Sequence, residues 1–212
     1  MTIKEQKAVF LAKGVNAFAA AMLRHKIYAT GKDTPANRQK LHDTLDKCVA
    51  DMLKKGGYKK GNVSERQHYA NIDKLSRAVV GKCRDFLFRK RFRIGAAQKF
   101  LNVRLKELWC AGKIKTPPHC PFDRIVIGAL PAKALKGAVV NWTEANKIDD
   151  YKAWVAAFDD DRDNMLGKMG LRGKDATMSA WELCYWNMTQ KRRNAMVRKY
   201  NKERRKQAKR GE

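Results

Sequence analysis

The sequence predicts a mostly α-helical protein, a compact bundle of several helices. Three observations carry that expectation. Apolar residues recur at helical spacing through most of the chain, N-cap and breaker residues separate the periodic stretches, and no apolar run has a partner strand elsewhere. The first helix is expected from Ile3 through Val9, Phe10, Val15, Phe18, Ala19 and Met22 to Leu23. Thr30 to Pro35 combines breakers with an N-cap and opens a second helix, whose apolar face is Leu41, Leu45, Val49, Met52 and Leu53 and which Gly56-Gly57 closes. Ser64 caps a third helix, through Ile72, Leu75, Val79, Val80 and Phe86. A charge-dense crossing follows from Arg84 to Arg93, and a fourth helix is expected from about Gln98 to Ala111, with Gly95 on a flexible turn ahead of it. The prolines of Thr116-Pro117-Pro118-His119-Cys120-Pro121 make that segment a rigid, non-helical connector. The apolar run from Phe122 to Leu130 suits a buried helix or a strand, and the want of a partner strand favours helix. Further helices are expected from Asp149 to Phe158 and from Ser179 into a basic C-terminal helix or tail. The expected organisation is a single helical domain over residues 1–190 followed by a basic extension over 191–212.

The charge points to the partner. The chain has 212 residues with 47 Lys and Arg against 21 Asp and Glu, a formal net charge of +26. Residues 191–212 hold eleven basic and two acidic residues, which is +9 of that total and leaves +17 on residues 1–190. The body is therefore basic as well as the tail, and clustered Lys and Arg call for a polyanion, with nucleic acid first. With 44% hydrophobic residues the chain can bury a proper core. No run approaches the length of a membrane span and the first residues lack the apolar stretch of a signal peptide, so the expectation is a soluble protein without a membrane partner.

Cys48, Cys83, Cys110, Cys120 and Cys184 are odd in number and show no repeated CxxC spacing, which argues against a disulfide framework. Cys110, His119 and Cys120 are three zinc-capable groups without an evident fourth, and buried reduced thiols are the preferred reading; no cofactor or metal is expected. Asp159, Asp161 and Asp163 alternate as in a calcium loop, but Asn164 and Gly170 stand where that loop needs Gly and Glu. Phosphate-loop, HExxH and GxSxG signatures are missing, so nucleotide hydrolysis and serine-esterase chemistry have no support.

The chemistry-bearing segment is Ile94-Gly95-Ala96-Ala97-Gln98-Lys99-Phe100, a glycine ahead of a helix with a lysine in its first turn, followed by Pro121-Phe122-Asp123. A helix start presents backbone N–H groups to a phosphate, and an amine and a carboxylate on facing helix starts can share a pocket. Between about residues 88 and 132 the chain resembles the helix-hairpin-helix DNA glycosylase superfamily, closest to its lysine-bearing members that excise oxidised purines. Gly95 and Lys99 keep the spacing of the glycine hairpin and its lysine, and Pro121-Phe122-Asp123 supplies the Pro-x-Asp motif. Ala97 replaces the usual second hairpin glycine, Arg124 and Ile125 depart from the usual following residues, and the loop between the motifs is long.

The resemblance implies a helix-hairpin-helix-like element and a DNA glycosylase, with lyase activity when the intermediate is a Schiff base. Lys99 would attack the sugar C1′ of an extruded nucleotide, and Asp123 would accept its proton or stabilise the cationic sugar. Only the free amine attacks, and Arg91, Arg93 and Arg104 would disfavour a further positive charge at Lys99. Gly95, Arg89, Lys90, Arg91, Arg93 and Arg104 would contact double-stranded DNA. The flipped base would stack on aromatic side chains, with Trp109, Trp181 and Trp186 as candidates beside Tyr185. The protein would then be a monomer, cytoplasmic or nucleoid-associated, working in base-excision repair or against modified foreign DNA. The competing readings are a non-enzymatic nucleic-acid-binding protein, in which Lys99 is a phosphate contact and Asp123 only a helix cap, and an adaptor for an acidic protein.

Overall fold

The computed structural model describes residues 1–22, 26–190 and 192; Leu23 and the basic extension other than Arg192 lie outside the described residues. Those residues are mostly helical and contain no strand, only an isolated bridge between Tyr28 and Leu87. The fold class is therefore the expected one, although several boundaries differ.

The expected first helix is two, α1 (Ile3–Leu11) and α2 (Ala17–Met22). Gly14 breaks it at φ +56, a left-handed conformation that glycine adopts without a Cβ clash, while the Gly14 N–H closes the turn on the Leu11 carbonyl. The second helix, α3 (Pro35–Lys54), starts where Thr34 caps the Asn37 N–H with proline in the first turn. After a single turn, α4 (Gly57–Lys60), α5 (Glu65–Cys83) is capped by Ser64 on the Gln67 N–H. Two one-turn 3-10 segments, Arg84–Phe86 and Phe88–Lys90, then reverse the chain. The Ile27 carbonyl accepts from the Phe88 N–H, and Ala29 donates to the Phe86 carbonyl.

The fourth expected helix, α6 (Ile94–Cys110), begins four residues earlier than its apolar pattern suggests and includes Gly95. It is the axis of the bundle, packed by α1, α2, α5 and α8 (Ile148–Asp159). A helix covered on every side should be apolar on every side. This one instead buries Gln98, Lys99, Asn102 and Lys106 among its apolar residues. The run after Phe122 forms one helical turn, α7 (Arg124–Ile127), followed by turns. The chain continues through α8, α9 (Arg162–Lys168) and α10 (residues 178–190). The buried apolar side chains of these elements form one continuous cluster. No described helix is long and apolar enough to cross a membrane.

Three side chains hold the proline-rich connector against this frame. Gln98 pairs its amide with the Phe122 backbone, donating to the carbonyl at 2.6 Å and accepting from the N–H at 3.1 Å. The Ser179 hydroxyl lies 2.9 and 3.0 Å from the Pro117 and His119 carbonyls. The His119 Nδ1 lies 3.1 Å from the Tyr151 hydroxyl. An element without regular hydrogen bonds of its own needs such partners when it is buried. Here they bring Asp123 back beside α6.

Candidate active site

Lys99 and Asp123, 24 residues apart, meet. Lys99 Nζ donates to Asp123 Oδ2 at 2.7 Å, and the side chains are 9% and 19% exposed. Asp123 does two jobs with two oxygens, since its Oδ1 accepts from the Ile125 and Val126 N–H groups at 2.9 and 3.0 Å and so caps α7. Burial pushes the Asp123 carboxyl up, but the Lys99 ammonium and the two backbone donors outweigh it and hold the group below the usual carboxylate range. The carboxylate is therefore ionised at neutral pH.

The pair opens into a cavity of about 230 Å³. Its apolar walls include Phe10, Val15, Val103, Ile125, Trp142 and Trp186, and a second buried ion pair, Lys106 with Glu182, lies on the lining. Lys106 Nζ is 2.7 and 3.0 Å from the two Glu182 carboxylate oxygens. The ammonium also stands 4.4 Å from the Phe10 ring centre and 4.9 Å from that of Trp186. Burial raises the Glu182 carboxyl above its ordinary value, against the opposing pull of Lys106. Lys99, Val103 and Lys106 share the cavity face of α6 because residues four and seven apart lie on one side of a helix.

Behind the cavity runs a buried polar chain. Asn71 donates to the Tyr58 hydroxyl, which pairs with His68 Nδ1; His68 Nε2 meets Asn102 Oδ1, and Asn102 donates to the Tyr151 hydroxyl and to Gln98. Burial first, and the neighbouring His119 second, push His68 far below the ordinary histidine value. Burial with the charge of Arg162 lowers His119 to about 4. The network fixes Gln98, and Gln98 fixes the Phe122 backbone one residue before Asp123.

The other expected contacts are placed differently. Gly95 is not on a phosphate-facing turn: it is buried inside α6 and its N–H donates to the Ala145 carbonyl at 3.1 Å. A Cβ there would stand 1.7 Å from the Trp142 carbonyl oxygen. The glycine is a contact point for the segment carrying Trp142, an aromatic wall of the cavity that sequence periodicity did not single out. Arg93 donates to the Thr143 carbonyl and Arg104 to Glu107 at 3.0 Å, so each is committed within the fold. The charge facing Lys99 is the Asp123 carboxylate rather than these arginines. Arg89, Lys90 and Arg91 are exposed on the turn between α5 and α6, where Arg89 and Lys90 hold left-handed backbone at φ 51 and 53.

Among the three tryptophans, Trp186 lines the cavity and the other two do not. Trp109 is buried under the Lys7 ammonium, 4.1 Å from its ring centre. Trp181 packs edge-on against Phe158 and stacks on Tyr185, with ring centres 5.2 Å apart in both cases. Lys106 and Glu182, 76 positions apart, carry no local signature. The available signal was a lysine two turns beyond Lys99 in a helix otherwise packed with apolar residues. Cys110 and Cys120 are buried thiols, the former pushed up to about 11 by burial, and no group of three or more metal-ligating side chains is assembled among the described residues.

Compared with family models, curated proteins and solved structures, the chain matches none of them.

Proposed function

We propose that this chain is a DNA glycosylase of the Schiff-base type, with Lys99 as nucleophile and Asp123 as its acid–base and electrostatic partner. The observation that carries the reading is the 2.7 Å contact between Lys99 Nζ and Asp123 Oδ2 on the wall of a cavity of about 230 Å³. That volume is below the roughly 300–1,000 Å³ of most small-molecule sites, a size suited to one extruded base. In the reaction the proton leaves Nζ along the hydrogen bond to Asp123 and the free amine attacks C1′. The C1′–N bond then breaks with its electron pair on the departing base, and the base takes the proton held by Asp123. The secondary ammonium then gives a proton to the again-ionised Asp123. The freed nitrogen lone pair forms C1′=N as the C1′–O4′ electron pair moves to O4′, and O4′ takes that proton, leaving the Lys99–C1′ iminium. In the resting pair the ionised Asp123 carboxylate offsets positive charge, the property wanted as C1′ becomes cationic.

The partner in this reading is double-stranded DNA, which the net charge of +26 attracts. The exposed Arg89, Lys90 and Arg91 on the turn ahead of α6 would serve as phosphate contacts. The turn between α5 and α6 takes the place of the hairpin in a helix-hairpin-helix-like element, and the protein acts as a monomer close to the nucleoid. A non-enzymatic DNA-binding protein is the second reading, favoured by Asp123 being a helix cap whatever else it does.

Borohydride reduction separates the two. Incubated with duplexes carrying oxidised guanine, uracil or hydroxymethylated cytosine, the wild-type protein is expected to form a covalent adduct that Lys99→Gln lacks while still binding DNA. A Lys99→Gln protein that releases base at the wild-type rate would overturn the assignment. Binding without adducts or abasic sites would leave a DNA-binding module.

A further inference from the structure

The Lys106–Glu182 pair has no evident purpose as a stabilising contact. Lys106 is 5% and Glu182 2% exposed, and taking two such charges out of water costs about as much as their attraction returns. Apolar residues of similar volume would hold α6 and α10 together equally well. The pair nevertheless lies on the cavity wall, two helical turns from Lys99, a rise of about 10.5 Å. That spacing suits a nucleoside whose C1′ stands at Lys99 and whose base points along α6 toward Lys106. Trp186 and Phe10 flank the far end, offering apolar ring surface around one strong donor and one strong acceptor.

Resting on the glycosylase reading, we propose that Lys106 and Glu182 read the Watson–Crick edge of the extruded base. The ammonium donates to a ring nitrogen or carbonyl oxygen, and the carboxylate accepts from the adjacent amino group or ring N–H. Every ordinary base presents such a donor beside an acceptor on this edge. The pair therefore accepts a base whose pairing edge is intact and rejects one altered on that edge, while a modification at C5 of a pyrimidine or C8 of a purine leaves both contacts unchanged. A methyl group on the pairing nitrogen removes the donor or blocks the acceptor and leaves a buried charge unmatched.

The test uses the full chain and three kinds of duplex: bases modified at ring carbon, bases methylated on the pairing nitrogen, and a preformed abasic site. The wild-type protein is expected to release ring-carbon-modified bases and to leave edge-methylated ones in place. The double variant Lys106→Met/Glu182→Leu removes both charges together, the change a buried pair tolerates best. It is expected to melt near the wild-type temperature and to be trapped by borohydride on abasic DNA, where no base edge exists. Its base release should fall about 100-fold, the scale of one or two lost base-edge hydrogen-bond pairs. Should the double variant fail to fold, Glu182→Gln, which exchanges one acceptor for a donor, is expected to alter the relative rates on different bases.

Equal base release by wild type and variants, or wild-type release of edge-methylated bases, overturns this inference alone. Loss of abasic-site trapping by both variants overturns it in favour of a structural pair. A wild-type protein that releases no base from any duplex overturns the glycosylase reading and this inference with it.

Discussion

Asp123 concentrates two physical demands in one side chain. One oxygen satisfies the first N–H groups of α7 and the other faces Lys99, so the two contributions can be separated by substitution. An asparagine side chain at this position would keep a capping oxygen and lose the ion pair, and Asp123→Asn is expected to lower stability by about 2 kcal/mol, the scale of a hydrogen bond to a charged group. Asp123→Ala should cost about 1 kcal/mol more, because the cap goes too. Urea unfolding of both variants measures the difference. Because the folded carboxyl is held below its ordinary value, the stability from its ionised form is present at neutral pH and is lost only as the pH falls below about 4. An Asp123→Asn protein as stable as wild type at pH 7 would show that the contact with Lys99 contributes nothing.

Lys99 and Asp123 were legible because each sits in a short local pattern, a glycine and lysine at a helix start and a proline two residues before an acid. Lys106 and Glu182 were not, since neither stands in a pattern and only the packing of α10 on α6 makes them neighbours.

At the scale of elements, α6 decides the architecture. Gly95 reads as a turn residue in the sequence and so sets the expected start of this helix too late, whereas its lack of a side chain serves close backbone approach instead. Gly95→Ala is expected to cost about 3 kcal/mol or more, since the added methyl meets a carbonyl oxygen that belongs to backbone and cannot swing aside. Gly81, on α5 with nothing within 4 Å of its missing methyl, provides the control. Gly81→Ala should stabilise by about 0.5–1 kcal/mol through helix propensity. Chemical denaturation of the two variants side by side checks both signs, and a Gly95→Ala protein no less stable than wild type would refute the close approach. The first helix shows the opposite difficulty. Its apolar spacing runs on past Gly14, yet the backbone turns at that glycine and the pattern continues in a separate helix, α2. Periodicity reports which face is buried, and two helices in succession can bury the same side of a sequence pattern.

The whole molecule carries a pH dependence that follows from its interior. His68 and His119 are buried and neutral when folded, with His119 lowered to about 4 and His68 also well below the ordinary value of 6.5. Unfolded, both take up protons near 6.5, so the unfolded state binds more protons in between and stability falls as the pH drops from 6.5 toward 4. For His119 alone the loss is about 3 kcal/mol across that window. Glu107 and Glu182, raised by burial, act in the opposite sense and blunt the slope. The melting temperature is expected to be clearly lower at pH 5 than at pH 7, as a scan in matched ionic strength would record. An unchanged or higher value at pH 5 would mean that these histidines are not buried neutral groups.

The amino-acid sequence by itself determined the helical class and the strong positive charge. It also marked the two motif residues that meet at the cavity. Those properties are local or additive: a helical period, a cap, a sum of charges. Only the tertiary structure decided that Gly95 is a contact point for the segment carrying Trp142 and that Trp186, not Trp109 or Trp181, faces the cavity. It also decided that a second buried ion pair lies two turns from Lys99. Each of these depends on which helix faces packs against which, and close packing brings together residues whose sequence neighbours carry no trace of the meeting.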